Sequence, residues 1–168
     1  GVARDLSAYL KANNMGGELT LPSVEEFEAK LAAANKEGAV KVTVNAKEAA
    51  PRYSGLTIKG VKVGESPDWL KAKLQAVGQR PINLVVDVTN FVLQEMGQPM
   101  HAFDADKIEG GKVVVDFCAK GTKFTTLDGV ERELDDKDLM ICNVNRPMCI
   151  AGVFGGLESG VTTDTVNV

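Results

Sequence analysis

This chain of 168 residues is poor in the residues that build disulfide and metal sites. It has one histidine, His101, and three cysteines, Cys118, Cys142 and Cys149, with no C-x-x-C pair among them. An odd number of cysteines without that spacing matches neither a disulfide framework nor a usual zinc set. We therefore expect three reduced core cysteines, as in a cytoplasmic protein, and no metal site.

Long apolar runs and a basic face are also missing. No segment approaches the roughly 20 apolar residues that span a bilayer, and no signal-peptide pattern opens the chain. The net charge is −4 with lysine and arginine scattered, whereas free-standing nucleic-acid binders normally carry a basic face. If the chain touches nucleic acid, we expect a small contact or help from other domains. Its opening residues, "GVARDLSAYL", have a mid-helix pattern without an initiator methionine, which suggests a piece of a longer protein.

Nucleophile and phosphate-binding motifs are absent as well. No serine has the G-x-S-x-G setting, and the Gly155–Gly156 pair lacks the lysine and hydroxyl residue of a P-loop. Because His101 is the only imidazole, an enzyme built on this chain would work without a covalent intermediate.

Helical patterns lead the sequence. Apolar residues recur at helical spacing in 2–10 and in the segment 21–38, where Gly38 is expected to close the second helix. "SPDWLKAKLQAVG" (66–78) predicts a helix capped by Ser66. "RPINLVVDVTNFVLQEMG" (80–97) is interpreted as a buried helix that ends at Gly97.

Strand patterns dominate later. Alternating or apolar runs predict strands, and Asp128-Gly129 predicts a hairpin turn within 123–134; the strand segments are 40–44, 53–63, 112–118, 138–142 and 148–153. This order predicts an α+β fold with mainly antiparallel or mixed β-sheets and several packed helices. We expect one excised domain, 1–168, with a helical lead-in at 1–36 that a neighbouring domain could share and a core at 37–168.

Three clusters are candidates for chemistry. In "HAFDAD", His101 could join Asp104 and Asp106 around a metal, face a substrate, or only form hydrogen bonds in a polar loop. In "GGLESG" (155–160), the two glycines could form an anion-receiving nest or a simple turn, and Glu158 could accept a hydrogen bond from a ligand hydroxyl or be solvated.

The third cluster is the adjacent pair Thr89-Asn90 in an apolar stretch. Buried polar side chains need hydrogen-bond partners, so this pair either braces the backbone or lines a pocket.

Several ordered motifs together resemble one family. They are "PRYSGLTIKGVKVGESPDWLKAKLQAVGQRPINLVVDVTNFVLQEMGQPMHAFDADKI", "TTLDGVERELDDKDLMIC" and "IAGVFGGLESGVTTDT", which cover about residues 51 to 165. They resemble the editing module of the beta subunit of bacterial phenylalanyl-tRNA synthetase. Phe91, Leu84 and "VVVDFCAKG" depart mildly from that family's pattern.

The resemblance implies a function and a site. The parent enzyme attaches phenylalanine to tRNA with ATP and magnesium, and the module hydrolyses the ester of misacylated Tyr-tRNA(Phe). By motif, the resemblance makes His101 catalytic and Glu158, Thr89 and Asn90 substrate-binding, beside a backbone loop at Gly155 and Gly156. It implies no cofactor in this part of the enzyme. The implied partners are the 3′ end of aminoacylated tRNA(Phe) and the alpha subunit of a cytoplasmic α2β2 tetramer.

An editing site separate from the synthetic site is useful for a physical reason. A pocket shaped for phenylalanine cannot strongly reject an analogue with one added hydroxyl, whereas a site that bonds this hydroxyl rejects the analogue without it. Glu158 would accept from the phenol, and His101 would orient the attacking water or the tRNA terminus. We expect the two side chains to share a cavity. The alternative is a structural or tRNA-guiding module of the same subunit that does not catalyse. A third hypothesis is a free-standing binder of aromatic amino acids that shares the fold.

Overall fold

The computed structural model describes all 168 residues and divides into two compact units, Gly1–Glu37 and Gly38–Val168. The first unit contains the helices α1 (Val2–Ala12) and α2 (Glu25–Ala33), neither of which has a buried residue. Both predicted helices are confirmed. The predicted end of the second at Gly38 is wrong, because Ala34 already has extended backbone angles.

The second unit is organised around a mixed sheet of five strands. In spatial order these are β1 (Lys41–Val44), β2 (Lys112–Phe117), β5 (Leu139–Cys142), β6 (Pro147–Ile150) and β7 (Phe154–Gly155). Only the β1–β2 pair is parallel. The strands β3 (Lys123–Thr125) and β4 (Glu131–Glu133) form a separate antiparallel hairpin. The α+β prediction is confirmed.

Side-chain alternation along the strands separates two core clusters. On β5, Ile141 belongs to a cluster with Phe103 and Met148, whereas its neighbour Met140 packs with Phe124 and Leu134. Successive side chains of a strand point to opposite faces, so one short apolar run serves both clusters.

The helices α3 (Asp68–Ala76) and α4 (Leu84–Met96) lie in the long crossover between β1 and β2 and pack against each other. Gly97 ends α4 in the left-handed conformation, as predicted. The predicted burial of this helix is wrong for most of it, since Asp87 is its only fully buried residue. The predicted Ser66 cap is also wrong, because its hydroxyl donates to Asp87 at 2.5 Å. A buried carboxylate needs hydrogen-bond donors, so the Ser66 hydroxyl bonds to Asp87 instead of capping the helix.

The segment 53–63 corrects another expectation. It forms no regular strand. Its short ladder with the C-terminal segment consists of a bridge between Lys59 and Asn167, paired bonds between Ile58 and Val168, and a bond from the Val61 N–H to the Val166 carbonyl. Gly60 has a positive φ of 70°, which interrupts the extended geometry that a continuous strand requires. None of the helices has the length and apolar character needed to cross a membrane.

Candidate functional site

His101 lies in the irregular segment that follows α4, against the sheet edge. Its ring packs edge-on against Phe103, with 4.5 Å between ring centroids. The residue is exposed on its outer side, while the packed side removes water from the imidazole. This desolvation lowers the pKa of His101 from its ordinary value, so the ring is neutral at neutral pH.

The two aspartates near His101 accept hydrogen bonds from other residues of the fold. Asp104 accepts a bond from the Thr165 hydroxyl at 2.8 Å and one from the Asp106 N–H at 3.1 Å, and Asp106 accepts from Asn167 at 3.2 Å. No set of three or more histidine, cysteine or acidic side chains is arranged to hold a metal ion. Asp104 therefore anchors the loop that carries His101 to the C-terminal segment.

Gly155 and Gly156 make room for other parts of the protein. A Cβ on Gly155 would lie 2.5 Å from Cε1 of His101, and a Cβ on Gly156 would lie 2.7 Å from the Met148 carbonyl oxygen and 2.8 Å from the Phe124 ring. The Gly156 N–H already donates to that Met148 carbonyl at 2.7 Å, so it is not offered to an anion. Of the two alternatives for the glycine pair, this hydrogen bond argues against the anion-receiving nest at Gly156.

Glu158 lies in the one-turn 3-10 helix Leu157–Ser159 and lines a cavity of about 140 Å³. The apolar part of this cavity is made by Phe124, Pro147, Met148 and Leu157. His101 is not among the lining residues, so the expected shared cavity is not found. The reason is that successive Cβ directions alternate along an extended segment. A Cβ on Gly155 would point toward His101, whereas a Cβ on Gly156 would point toward Phe124.

An arginine joins Glu158 to a second carboxylate. Arg146 Nη1 contacts Oε2 of Glu158, and Arg146 Nε lies 3.0 Å from Oε1 of Glu109. The side chains of Arg146 and Glu158 are 41% and 67% exposed. Ion pairs this open to water contribute about 0–1 kcal/mol to stability. The arrangement therefore contributes little to the stability of the fold.

Thr89 and Asn90 are half-buried on α4. The Thr89 hydroxyl donates to the Val86 carbonyl one turn earlier, at 2.7 Å, which is local backbone bracing. Neither side chain has a hydrogen bond to the segments that carry His101 or Glu158. Their predicted contact with substrate stays a prediction.

Two of the three cysteines are poor candidates for a nucleophile. All three are free, and the Sγ atoms of Cys118 and Cys142 lie 3.8 Å apart. Burial raises the pKa of Cys142 to about 12 and that of Cys149 to about 11. These two thiols are therefore protonated at neutral pH, and the thiolate is the reactive form.

Sequence reasoning missed the side chains that surround Glu158. Arg146 and Asn143 belong to "NVNRP", which looks like an ordinary polar link between two strands, and Phe124 looks like a core residue. No spacing rule connects them to Glu158, because strand pairing and the hairpin bring them together.

Comparisons with known proteins define the family. The model of the B3/4 domain matches residues 49–168. The chain is similar over its whole length to phenylalanine-tRNA ligase beta subunits, with 56% identity over 168 residues to that of Bacteroides fragilis. Identity is 54% over 169 residues for Porphyromonas gingivalis and 47% over 168 residues for Bdellovibrio bacteriovorus.

The chain belongs to the B3/4 domain family, and the resemblance seen in its motifs is confirmed. It spans about 20% of the length of the curated relatives it matches.

Proposed function

We propose that this chain is the editing domain of a phenylalanyl-tRNA synthetase beta subunit and hydrolyses the ester of Tyr-tRNA(Phe). In this proposal the parent enzyme attaches phenylalanine to tRNA with ATP and magnesium. The beta subunit joins an alpha subunit in a cytoplasmic α2β2 tetramer. No cofactor is assigned to the present chain.

The cavity beside Glu158 is the observation that supports this function. Its volume of about 140 Å³ is close to the roughly 150 Å³ of an engineered apolar cavity that binds benzene in another protein. A single aromatic ring therefore matches its size. Apolar walls would receive the ring, and Glu158 would accept the phenol hydrogen of tyrosine.

Phenylalanine would leave that carboxylate without its partner. A site built to bond a hydroxyl discriminates strongly against an analogue that lacks it, because the polar group of the site is then desolvated without compensation. The cavity thus supplies the selectivity that a synthetic site shaped for phenylalanine lacks.

Hydrolysis consumes one water and releases tyrosine and free tRNA. The neutral imidazole of His101 can accept a proton from that water or orient it, and its lowered pKa keeps it in the required form at neutral pH. His101 lies across the Gly155–Gly156 backbone from the cavity. The ester would therefore have to lie over this segment, with the tyrosine ring on the Glu158 side.

The tRNA would contribute only its single-stranded 3′ end. The net charge of −4 means that the chain has no excess of positive charge with which to bind the body of the tRNA, so other parts of the synthetase would hold it. Thr89 and Asn90 are proposed to bind the aminoacyl group or the terminal nucleotide.

The decisive experiment uses the complete synthetase that contains this chain. Glu158→Ala and His101→Ala are compared with the unchanged enzyme for deacylation of Tyr-tRNA(Phe) and Phe-tRNA(Phe). We expect Glu158→Ala to lose the preference for the tyrosyl ester and His101→Ala to slow deacylation. Glu48→Ala is the matched control, because Glu48 is exposed and does not line the cavity.

The position of His101 favours a second candidate, a module that guides tRNA or packs the subunit without catalysis. The absence of His101 from the Glu158 cavity is the specific observation behind it. Unchanged deacylation in both alanine variants would overturn the editing proposal and leave this one. A loss in Glu158→Ala alone would keep tyrosine recognition and remove the catalytic assignment of His101.

A further inference from the structure

We propose that Arg146 is a positioning residue for tyrosine specificity, because it holds the Glu158 carboxylate in place for the ligand hydroxyl. This inference rests on the proposed function of the cavity. It adds a residue that the sequence motifs did not indicate.

Glu158 needs an external support. It belongs to a single turn of 3-10 helix and its side chain is 67% exposed, so its own backbone and neighbours leave several rotamers accessible. A hydrogen bond requires the acceptor within about 3 Å of the donor and near its axis. A carboxylate that moves among rotamers would meet the phenol only part of the time.

Arg146 supplies that support and leaves the recognition atom open. Its Nη1 contacts Oε2 of Glu158, and no protein donor is bonded to Oε1. An ionised carboxylate has about four acceptor sites. Oε1 can therefore accept from a ligand while Oε2 stays with Arg146.

Arg146 is itself held from the opposite side. Its Nε lies 3.0 Å from Oε1 of Glu109, while Oε2 of Glu109 accepts a bond from the Asn145 side chain at 2.6 Å. The guanidinium group thus bridges two carboxylates, which its planar set of five donors allows and a lysine ammonium cannot reproduce in the same geometry.

The backbone that carries Arg146 is also fixed. Asn143 is only 3% exposed, and its Oδ1 accepts bonds from the N–H groups of Asn145 and Arg146, both at 2.8 Å. The Asn143 N–H donates to the Arg146 carbonyl at 2.9 Å. This hydrogen-bonded turn fixes the backbone from which the Arg146 side chain extends. The ordered contacts therefore run from the buried Asn143 through Arg146 to the exposed carboxylate of Glu158.

The test uses the complete synthetase with Arg146→Met, which retains most of the side chain's length and removes its charge and hydrogen-bond donors. We expect the kcat/KM ratio of Tyr-tRNA(Phe) over Phe-tRNA(Phe) deacylation to fall about tenfold, with the rate for Phe-tRNA(Phe) nearly unchanged. Arg146→Lys should restore the ratio only in part. Glu109→Gln should lower it less than Arg146→Met, since Glu109 acts through the arginine.

Lys120→Met is the matched control. Lys120 is also a surface cation in an ion pair, with Asp135 at 3.1 Å, but it does not line the cavity. We expect an unchanged ratio in this variant. An equal loss in Lys120→Met and Arg146→Met would overturn the inference, because the loss of any surface cation would then explain both.

The inference and the proposed function fail in different ways. If Glu158→Ala removes tyrosine preference and Arg146→Met leaves it intact, the inference is wrong and the editing function remains. If Glu158→Ala has no effect, the inference is wrong and Glu158 does not recognise tyrosine, while the editing function itself is overturned only if His101→Ala also leaves deacylation unchanged. In the double variant Arg146→Met with Glu158→Ala, the ratio should equal that of Glu158→Ala alone. A further tenfold loss would overturn the proposal even if Arg146→Met weakens folding.

Discussion

The neighbours on the two sides of the Gly155–Gly156 segment differ in their freedom to move. On the Gly155 side the neighbours are the imidazole of His101 and the end of the Leu127 side chain, and both residues are exposed. On the Gly156 side the neighbours are the Met148 carbonyl and the buried Phe124 ring. A surface ring can change rotamer, whereas a sheet carbonyl and a core ring are held by their surroundings.

This difference changes how the glycine pair is understood. Two adjacent glycines resemble a backbone surface for an anion, but here both are required because other groups occupy the space of their side chains. One keeps His101 against the sheet edge and the other admits Phe124 to the wall of the Glu158 cavity. The candidate residues His101 and Glu158 thus lie on both sides of a segment whose glycines are required for steric reasons.

The largest effect is expected for Gly156→Ala. The new Cβ would lie 2.7 Å from the Met148 carbonyl oxygen, and neither this oxygen nor the Phe124 ring can withdraw freely. We expect a loss of about 2–3 kcal/mol in the free energy of unfolding, as for overpacked cores. Chemical denaturation would measure it. Gly64→Ala is the control, because Gly64 has open space around its Cα, and an equally small loss in both variants would contradict this account.

A smaller effect is expected for Gly155→Ala. The new Cβ would meet the His101 ring and, at 2.9 Å, the Leu127 Cδ1 atom, and both are ends of exposed side chains that can rotate away. We therefore expect a loss of about 1 kcal/mol and a displaced imidazole. Denaturation would report the stability, and NMR of the histidine ring would report its new environment. A loss as large as that of Gly156→Ala would show that the two sides are equally rigid.

The pH dependence of the free energy of unfolding tests the desolvation of His101. Its pKa is lowered in the folded protein, so below the unfolded value of about 6.5 the unfolded state binds the proton more readily. This histidine therefore favours unfolding as the pH falls below about 6.5, and above that value it contributes nothing. Denaturation of the unchanged protein and of His101→Gln between about pH 5 and about pH 7 should give a shallower slope for the variant. Parallel slopes would contradict desolvation of the ring.

The smallest effect on stability is expected for Glu158→Ala. The carboxylate is 67% exposed, so its removal should change the free energy of unfolding by about 0.5 kcal/mol or less. Thermal unfolding would check this, since about 1 kcal/mol shifts the melting temperature by only a few degrees in a chain of this size. A drop of about ten degrees would show that Glu158 is structural.

Local signals in the sequence predicted many of the elements. Gly97 marks the end of α4, Asp128-Gly129 lies in the β3–β4 turn, and the run "KVVVDF" forms β2. These features depend on nearby residues, such as a left-handed glycine or a side-chain period of two. The segment 53–63 shows the limit, because its pattern favours strand but the partner segment and Gly60 permit only a short ladder.

Side-chain partners were harder to predict. Ser66 has the position of a helix cap, yet the buried carboxylate of Asp87, 21 residues away, takes its hydroxyl. A similar long-range contact places Thr165 on Asp104, 61 residues away. Such contacts depend on how the elements pack, which no local pattern records.

The sequence by itself determined the family, the α+β class and the identity of the candidate residues His101 and Glu158, because ordered motifs and side-chain periodicity are properties of the chain. Only the tertiary structure decided that these two residues lie on opposite sides of a glycine segment and that Arg146 contacts Glu158. The physical reason is that strand pairing fixes which face each side chain takes, and that choice is made by partners distant in the sequence.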